Sequence, residues 1–583
     1  MSTLLCVPIM VHDVHTALAD ATASKEQGAD LVEFRIDEFF GGDLDVPDNE
    51  PGSVASVIRL VKESPLPCIV TCRHVSEGGH YDGDEDARVS LYERLGTATG
   101  RDEHPPRYLD FELDRYQASA NIKQKVNLAV DASGLRGGDD PARRDRVPSL
   151  ILSNHYFNGR PADFSRRALR MQGESQAVSK FAFRARSLRD NLELFDLLLE
   201  RDRPTIALAM GEFGLISRIL APKFGGFLTF ASLRSTTTTA PGQPTIRELL
   251  DLYRFRSIKP STKVYGVVGW PVGHSKSPLV HNAGFAAVGH DGVYLPLPIA
   301  ANDSLESSAA TNADDAYTSF KATMLALLDH TRLDLAGVSV TIPHKENLVK
   351  LAMEEGWELD EVSRSSGAAN TLAVTRNGHG RITRARVSNT DAAAAVGCLE
   401  DVIGPVHGKT IGVLGAGGVA KAIVLALARG GAKVRIHNRS EDRAKEVADA
   451  VVKVTGGHVT TAPWLTDGAS NPRAEYEQAG GQPNEKADAW INCTPVGMKG
   501  GPAPDATPLP DRVLSNMKGS GAVLDTVYNP IRTPLLVRAE EKGLVTIDGV
   551  KMFVRQAAEQ FHAWTGTNAP IAEFERLVRA AQG

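Results

Sequence analysis

Between the N-terminus and about residue 232 the chain alternates short, nearly continuous apolar runs with helical or polar segments. Eight such runs stand out: "LLCVPIMV", "DLVEFRID", "CIVTCR", "RYLDFEL", "LILSNHYF", "VSKFAFRA", "TIALAMG" and "GFLTFAS". Apolar strands alternating with helical patterns describe a parallel sheet covered by helices, and eight of them predict a closed (β/α)8 barrel. A further run, "KVNLAVDA", is followed by the polar "SGLRGGDDPARRDRVP" and makes the strand count ambiguous. It reads as an insertion near residues 125–148, ahead of the fifth barrel strand.

After "RFRSIKPSTK" the pattern starts again with "VYGVVGWPVGHSKSP", which puts a boundary near residues 257–262. The second unit runs through "LAGVSVTIPHKENLV" and "AANTLAVT" to "VSNTDAAAAV", then meets a Gly-rich segment at about residue 409. There "VLGAGGVAKAIVLALARGGAKVRIHNRS" reads as strand, glycine turn, apolar helix and strand. The expected units are a barrel over 1–257, a smaller α/β unit over 262–400, and a Rossmann-type nucleotide-binding unit over 401–550. A C-terminal helix over 551–580 is expected to fold back onto the second of these.

Composition narrows the function class. A chain of 583 residues exceeds one core, and 42% hydrophobic with 23% charged residues describes a globular protein. A net charge of -6 with no basic block argues against nucleic acid as a partner. The five cysteines form no paired framework and read as reduced and mostly buried. The start "MSTLLCVPIMVHDV" reads as a first strand, not as a signal peptide or plastid leader, and no apolar run nears the ~20 residues of a membrane span, so the cytoplasm is the expected location.

The polar residues inside the apolar runs carry the chemistry. Glu33, Arg35, Arg73, Asp110, Glu112, His155 and Lys180 lie within or at the ends of strands, and Arg218 and Gln243 follow the last two. Any one of them is as readily a paired core charge. Nine together are a costly load for a barrel interior unless they converge on a pocket at the strands' carboxyl ends. A lysine on an apolar strand suits imine formation with a ketone, because burial and neighbouring cations free the amine to attack. Lys180 is that residue. His155 on the neighbouring strand could remove the proton acidified by the imine and later protonate a departing hydroxyl, and Arg218 is the leading candidate to hold a carboxylate.

At these residues the first unit resembles type I 3-dehydroquinate dehydratase, through "VEFRID", "TCRHVSEGG", "LDFEL", "SNHYF", "VSKFA", "MGEFGLISRILAPKFGGFLTFAS" and "TAPGQPT". The resemblance implies Schiff-base chemistry at Lys180, acid–base work by His155, and substrate contacts from Glu33, Arg35, Arg73, Arg218, Thr239 and Gln243. Glu77 matches a position that stabilises or orients the histidine. Thr239 stands where the family commonly has serine.

In the second half, Gly415, Ala416, Gly417, Gly418 and Val419 form a G-x-G-x-x-A turn closed by Ala420, where small residues let backbone approach a pyrophosphate at a helix N-terminus. Arg439 ends the second strand where a carboxylate would favour a free ribose hydroxyl. An arginine suits a 2′-phosphate, which favours NADP, with Arg443 one helical turn further on. Upstream, Ser275 and Ser277 in "HSKSP", Thr341 and Lys345 in "VTIPHK", Asn370 in "AAN", and Asn389 and Asp391 in "SNTD" could bind a polyhydroxylated ring acid. Individually each is as readily a cap or turn residue.

Followed by "NCTPVGM", "YNPIRTPLL" and "GVKMFVRQA", these motifs resemble shikimate dehydrogenase. The resemblance implies that Ser275, Ser277, Thr341, Asn370, Asn389, Tyr528 and Gln556 contact substrate and that Lys345 and Asp391 form the catalytic pair. It also implies that Asn438 and Thr494 join the glycine turn and the two arginines in the cofactor site. Ser339 sits where many single-domain bacterial members have asparagine. Joined in this order, the halves resemble the bifunctional dehydroquinate dehydratase/shikimate dehydrogenase family, which implies 3-dehydroquinate and 3-dehydroshikimate as substrates, NADP as cofactor and no metal. A ligand-sensing regulator on the same folds would be expected to lose Lys180, His155, Lys345 or Asp391, and all four are present. An NAD-dependent quinate dehydrogenase is disfavoured by the serine pair and Arg439.

Overall fold

The computed structural model describes residues 2–40, 52–98, 104–130, 148–174, 176–234, 242–300, 313–465 and 486–582. The chain divides into two compact units, Met1–Thr262 with Leu297–Ala310, and Lys263–Pro296 with Thr311–Gly583.

The first unit holds one parallel eight-stranded sheet: β1 (Leu4–Met10), β2 (Leu31–Arg35), β3 (Cys68–Thr71), β4 (Tyr108–Glu112), β5 (Ser149–Tyr156), β6 (Val178–Arg184), β7 (Thr205–Met210) and β8 (Leu228–Phe230). The order is β7-β6-β5-β4-β3-β2-β1-β8. β1 pairs with both β2 and β8, while the Phe227 N–H donates to the Thr205 carbonyl at 2.9 Å where β8 meets β7, so the sheet is a near-closed barrel. β7 is buried at every residue, which is why a parallel barrel strand reads as unbroken apolar sequence. Of the run "KVNLAVDA", Lys125–Ala129 completes the helix Ala120–Ala129, capped at its start by the Ser119 hydroxyl. The rest of the expected insertion, 131–147, lies outside the described residues. Lys223 closes the unit, its buried ammonium donating to the carbonyls of Pro260 (3.0 Å) and Thr262 (2.7 Å).

The second unit contains two six-stranded sheets. The first comprises β9 (Lys263–Gly269), β10 (Gly292–Pro298), β11 (Leu335–Val340), β12 (Glu358–Leu359), β13 (Thr371–Arg376) and β14 (Ile382–Ser388), in the order β10-β9-β11-β13-β14-β12. Its β13 runs antiparallel to both β11 and β14. The second is fully parallel: β15 (Thr410–Leu414), β16 (Lys433–His437), β17 (Val459–Ala462), β18 (Ala489–Asn492), β19 (Ala522–Asp525) and β20 (Val545–Ile547), ordered β17-β16-β15-β18-β19-β20. That order reverses between β15 and β18, the crevice where doubly wound sheets take ligands.

Where one terminal helix is expected over 551–580, the chain makes two, Gly549–Thr565 and Ile571–Ala580. Gly566 ends the first in the left-handed conformation (φ 71°), and Pro570 precedes the second. They pack on the first sheet's helix Ser277–Ala287 through an aromatic cluster of His281, Phe285, Phe561 and Phe574, and the Trp564 indole donates to the Leu372 carbonyl at 3.0 Å. No helix among the described residues is long and apolar enough to cross a membrane. The five cysteines are free.

Candidate active sites

In the barrel, neighbouring strands β2, β4, β5 and β6 bring Glu33, Asp110, Ser153, His155 and Lys180 together, with Glu33 and Asp110 at mid-strand and Lys180 third of seven in β6. Lys180 Nζ lies 2.8 Å from Asp110 Oδ2 and 3.2 Å from Glu33 Oε1, and 4.7 Å above the centre of the Phe230 ring. It is 4% exposed, so each ionic contact acts where water screens little. Arg73, just past β3, donates to Ser153 Oγ (2.7 Å) and Asp110 Oδ2 (3.2 Å), and its Nη1 lies 3.2 Å from His155 Nδ1. Burial acts to raise the Asp110 carboxyl, but the Arg73 and Lys180 cations outweigh it and hold the group well below the carboxylate range.

Glu77 completes the histidine's surroundings. Its Oε2 accepts from the His155 backbone N–H at 2.8 Å and lies 3.0 Å from Nδ1. Burial, joined by the nearby Glu112 carboxylate, pushes the Glu77 carboxyl up to about 8. Burial and then the Arg73 and Lys180 cations hold the His155 imidazole well below its ordinary value, which leaves it neutral at pH 7.

Arg218, on the short helix Leu215–Ile219 after β7, is 2% exposed and has no hydrogen-bond or ion-pair partner among the described residues. Burial pulls its guanidinium down to about 10. A buried, uncompensated cation is costly, and a substrate carboxylate would offset that cost. Arg35 is engaged differently, in a bidentate pair with Asp37 at 2.8 and 2.9 Å. Gln243 is buried, and Thr239 lies outside the described residues.

Arg88 escaped the sequence reading because "EDARVSLYERL" looks like a solvated helix face. Its guanidinium is fully buried, 4.4 Å over the Phe111 ring, and bonds Glu112 (2.7 Å), Glu85 (2.6 Å) and the Cys72 carbonyl (2.8 Å). Glu112 also accepts from His74 N–H (2.9 Å) and lies 3.7 Å from Arg73, so Arg88 backs the support of Arg73.

In the second unit, Lys345 opens the helix Lys345–Glu354 and Asp391 sits in the first turn of Thr390–Ile403. Their side chains meet at 2.6 Å. A Cβ on Gly418 would stand 3.9 Å from Lys345 Cβ, so the pair faces the glycine turn. Ser277 is buried, and the Tyr294 hydroxyl bonds Ser339, a pairing of hydroxyls that the sequence reading did not foresee. Ser275 Oγ accepts from Ser277 N–H at 3.2 Å, and Thr341 lies half-buried past the end of β11.

Asn370 and Asn389 are strongly engaged within the fold. Asn370 Oδ1 accepts from Thr390 N–H (2.9 Å), while Asn389 caps Thr390–Ile403 through Ala392 N–H and donates to the Ala368 carbonyl. Gln556 donates to Phe553 O (3.0 Å), and the Tyr528 ring packs 5.1 Å from that of Phe553.

Gly415, at φ 105°, makes the turn after β15, a conformation costly for any residue with a side chain. A Cβ there would also stand 3.2 Å from Thr494 Cγ2. Ala416 is buried beneath the turn, while Gly417 caps the helix Gly418–Arg429 with no atom within 4 Å of a Cβ placed on it, and Val419 follows half-buried. This open helix start, with unpaired backbone N–H groups, fits a pyrophosphate. Arg439 and Arg443 are exposed, and neither side chain has a hydrogen-bond or ion-pair partner among the described residues, whereas Asn438 is tied to the Ser440 carbonyl at 2.9 Å. Two free cations past β16 fit a 2′-phosphate.

The family model of type I 3-dehydroquinase matches residues 5–133 and 140–260. Those of the shikimate dehydrogenase substrate binding domain, shikimate/quinate 5-dehydrogenase and the shikimate 5'-dehydrogenase C-terminal domain match 267–372, 398–461 and 549–579. The chain is 36% identical over 583 residues to the chloroplastic bifunctional 3-dehydroquinate dehydratase/shikimate dehydrogenase of Arabidopsis thaliana, covering 97% of this chain and 83% of the plant protein. It is 35% identical over 318 residues to the shikimate dehydrogenase (NADP(+)) of Methanocella arvoryzae, covering 54% of this chain and 98% of that one. A solved shikimate dehydrogenase structure in complex with NADP+ is 28% identical and covers 56% of this chain and 98% of its own, with a TM-score of 0.45.

Proposed function

The chain belongs to the bifunctional 3-dehydroquinate dehydratase/shikimate dehydrogenase family, and from that premise we propose that it carries out two consecutive steps of the shikimate pathway at two separate sites. The barrel dehydrates 3-dehydroquinate to 3-dehydroshikimate, and the second unit reduces that ketone to shikimate with NADPH. The division that belongs to this proposal is barrel 1–257, substrate-binding lobe 262–400 with the C-terminal segment, and nucleotide-binding lobe 401–550. The observation that carries the proposal is that one chain holds both a buried lysine between two carboxylates beside a histidine and a second, largely buried lysine–aspartate pair facing a glycine turn.

In the first reaction the Lys180 amine attacks the substrate ketone, and loss of water gives the imine. Neutral His155 takes the proton from the adjacent carbon, and the hydroxyl one carbon further leaves with a proton as water. Hydrolysis of the imine then frees the lysine. Arg218 holds the carboxylate, Arg73 fixes His155 and Asp110, and Glu33, Arg35, Thr239 and Gln243 orient the ring.

In the second reaction NADPH supplies the hydride. Lys345 contacts the ketone oxygen and stabilises the charge that develops there, Asp391 orients Lys345 and balances it, and the proton that converts the new alkoxide to the alcohol passes through this hydrogen-bonded pair. Ser275, Ser277, Thr341, Asn370, Asn389, Tyr528 and Gln556 line the substrate's side. Gly415–Val419 take the pyrophosphate, Asn438, Arg439 and Arg443 the phosphorylated ribose, and Thr494 the nicotinamide end. A cytoplasmic location belongs to the same proposal, and cell fractionation tests it.

The decisive experiment incubates the purified chain with 3-dehydroquinate and NADPH while following nicotinamide oxidation and product identity together. Stoichiometric oxidation with shikimate as product supports both sites. Accumulation of 3-dehydroshikimate with no oxidation would remove the second activity, and unchanged 3-dehydroquinate would remove the first.

A further inference from the structure

Asp525 ends β19 as a fully buried carboxylate with no ion-pair partner among the described residues. It is held by three hydrogen bonds that arrive from three segments. Asn492 Nδ2, its neighbour across the β18–β19 ladder, donates to Oδ1 at 2.9 Å, Val527 N–H donates to the same oxygen at 3.0 Å, and the Thr533 hydroxyl donates to Oδ2 at 2.6 Å. Burial raises the carboxyl to about 6 against the pull of these bonds, so the group is kept at a cost.

The segments it joins carry two residues assigned above to the second site. Asn492 turns its own carbonyl oxygen to Thr494, accepting from the Thr494 N–H (3.0 Å) and hydroxyl (2.7 Å). Thr494 packs against the glycine turn at Gly415. In the other segment, Val527 immediately precedes Tyr528, and its carbonyl lies so close to Gly549 that a Cβ there would approach it to 2.3 Å. Lys499 N–H adds a second tie between the segments, donating to the Asn529 carbonyl at 2.9 Å.

We propose that Asp525 is a positioning residue for the reduction, fixing the Thr494 turn and the Tyr528 segment in one relative placement so that cofactor and ketone are held together. The inference rests on the reading of Thr494 as a cofactor contact and Tyr528 as a substrate contact. A purely structural carboxylate would instead affect folding while leaving both affinities alone.

Steady-state kinetics of the full-length chain separate these cases. Asp525→Ala should raise KM for both NADPH and 3-dehydroshikimate by roughly ten-fold, the loss expected when a buried hydrogen-bonded tie is cut, with kcat falling less. Asp525→Asn should return both constants to near the wild-type values, because Oδ1 keeps its two donors and Nδ2 can donate to the Thr533 hydroxyl. Dehydratase activity in the same samples reports on the barrel and serves as the internal concentration standard. Asn492→Ser, which cuts only the cofactor side, should raise KM for NADPH and leave that for the ketone within about two-fold, and it carries the test if Asp525→Ala does not fold. The proposal is overturned if Asp525→Ala moves neither constant or only one, if Asp525→Asn is as impaired as alanine, or if Asn492→Ser leaves KM for NADPH unchanged. Failure of the underlying reading would show separately, as absence of NADPH-dependent reduction by the wild-type chain.

Discussion

Lys345 Nζ and Asp391 Oδ2 meet at 2.6 Å, each projecting from the first turn of its own helix and separated by 46 positions in sequence. The contact gives the lysine one fixed direction, toward the glycine turn. Lys345→Ala should therefore lower kcat for reduction by on the order of 10²–10⁴, the range of a lost acid–base group, with KM for NADPH little changed. Asp391→Asn keeps a hydrogen-bond acceptor but removes the charge, and should fall between the two. Initial-rate measurements with 3-dehydroshikimate and NADPH check both variants.

The Glu77 carboxyl, raised to about 8 by burial and by Glu112, makes a signed prediction about pH. Its folded value lies above the ordinary glutamate value of 4.5, so the folded chain binds more protons than the unfolded one between those limits. Stability from this group is fullest below about 4.5 and declines as pH rises through about 8. Glu77→Gln abolishes that titration. The variant should melt close to wild type at pH 5 and above it at pH 8.5, read by thermal unfolding of the barrel; a constant difference across the range would refute the assignment.

Much of the barrel was legible because buried parallel strands must be apolar on both faces, so eight of them read as eight runs and the polar exceptions marked the strands that carry the site. The run at 125–129 left the strand count ambiguous for the same reason. Val126 and Ala129 are buried in a helix, and a short apolar stretch has the same composition in either structure. What the pattern cannot carry is pairing. Lys180, Asp110 and Glu33 were each visible, yet that one ammonium lies between two carboxylates follows from register. Arg88 and Asp525 were hidden more deeply, since an arginine in a charged helix and an aspartate at a strand end look solvated until the partners that bury them are known.

The Arg88–Glu112 pair is fully buried, and breaking such a pair leaves an uncompensated charge. Arg88→Leu should cost the barrel about 3–5 kcal/mol, while Arg88→Leu with Glu112→Gln should recover a substantial part. Because Glu112 also lies beside Arg73, the single variant should lose dehydration more steeply than the double. Denaturant melts and dehydratase assays on the two variants measure both effects.

Arg439 is exposed and free of side-chain partners among the described residues, so its removal disturbs no internal contact. Arg439→Ala should raise KM for NADPH by roughly 10–100-fold, the worth of a charge-assisted bond to phosphate, and change that for NADH by less than about two-fold. Equal weakening of both cofactors would move the 2′-phosphate contact to another residue. The comparison needs no structural control beyond the unchanged NADH constant.

The two lysines should do different chemistry, and their surroundings differ accordingly. Lys180 is 4% exposed between Asp110 and Glu33, where a substrate ketone can be enclosed as an imine, so borohydride added during turnover of 3-dehydroquinate should leave a covalent adduct on Lys180 in the intact mass. Lys345 is less buried and needs no covalent bond to act. Lys180→Ala should abolish dehydration while leaving reduction of supplied 3-dehydroshikimate nearly intact, and Lys345→Ala should do the reverse. Each lysine's polar contacts come from its own unit, so neither variant removes a group from the other reaction. Mixing the two variants should then restore conversion of 3-dehydroquinate to shikimate, with a lag that shortens as enzyme concentration rises, because the intermediate must pass through solvent. A folded single variant that had lost both activities would require one site to depend on the other.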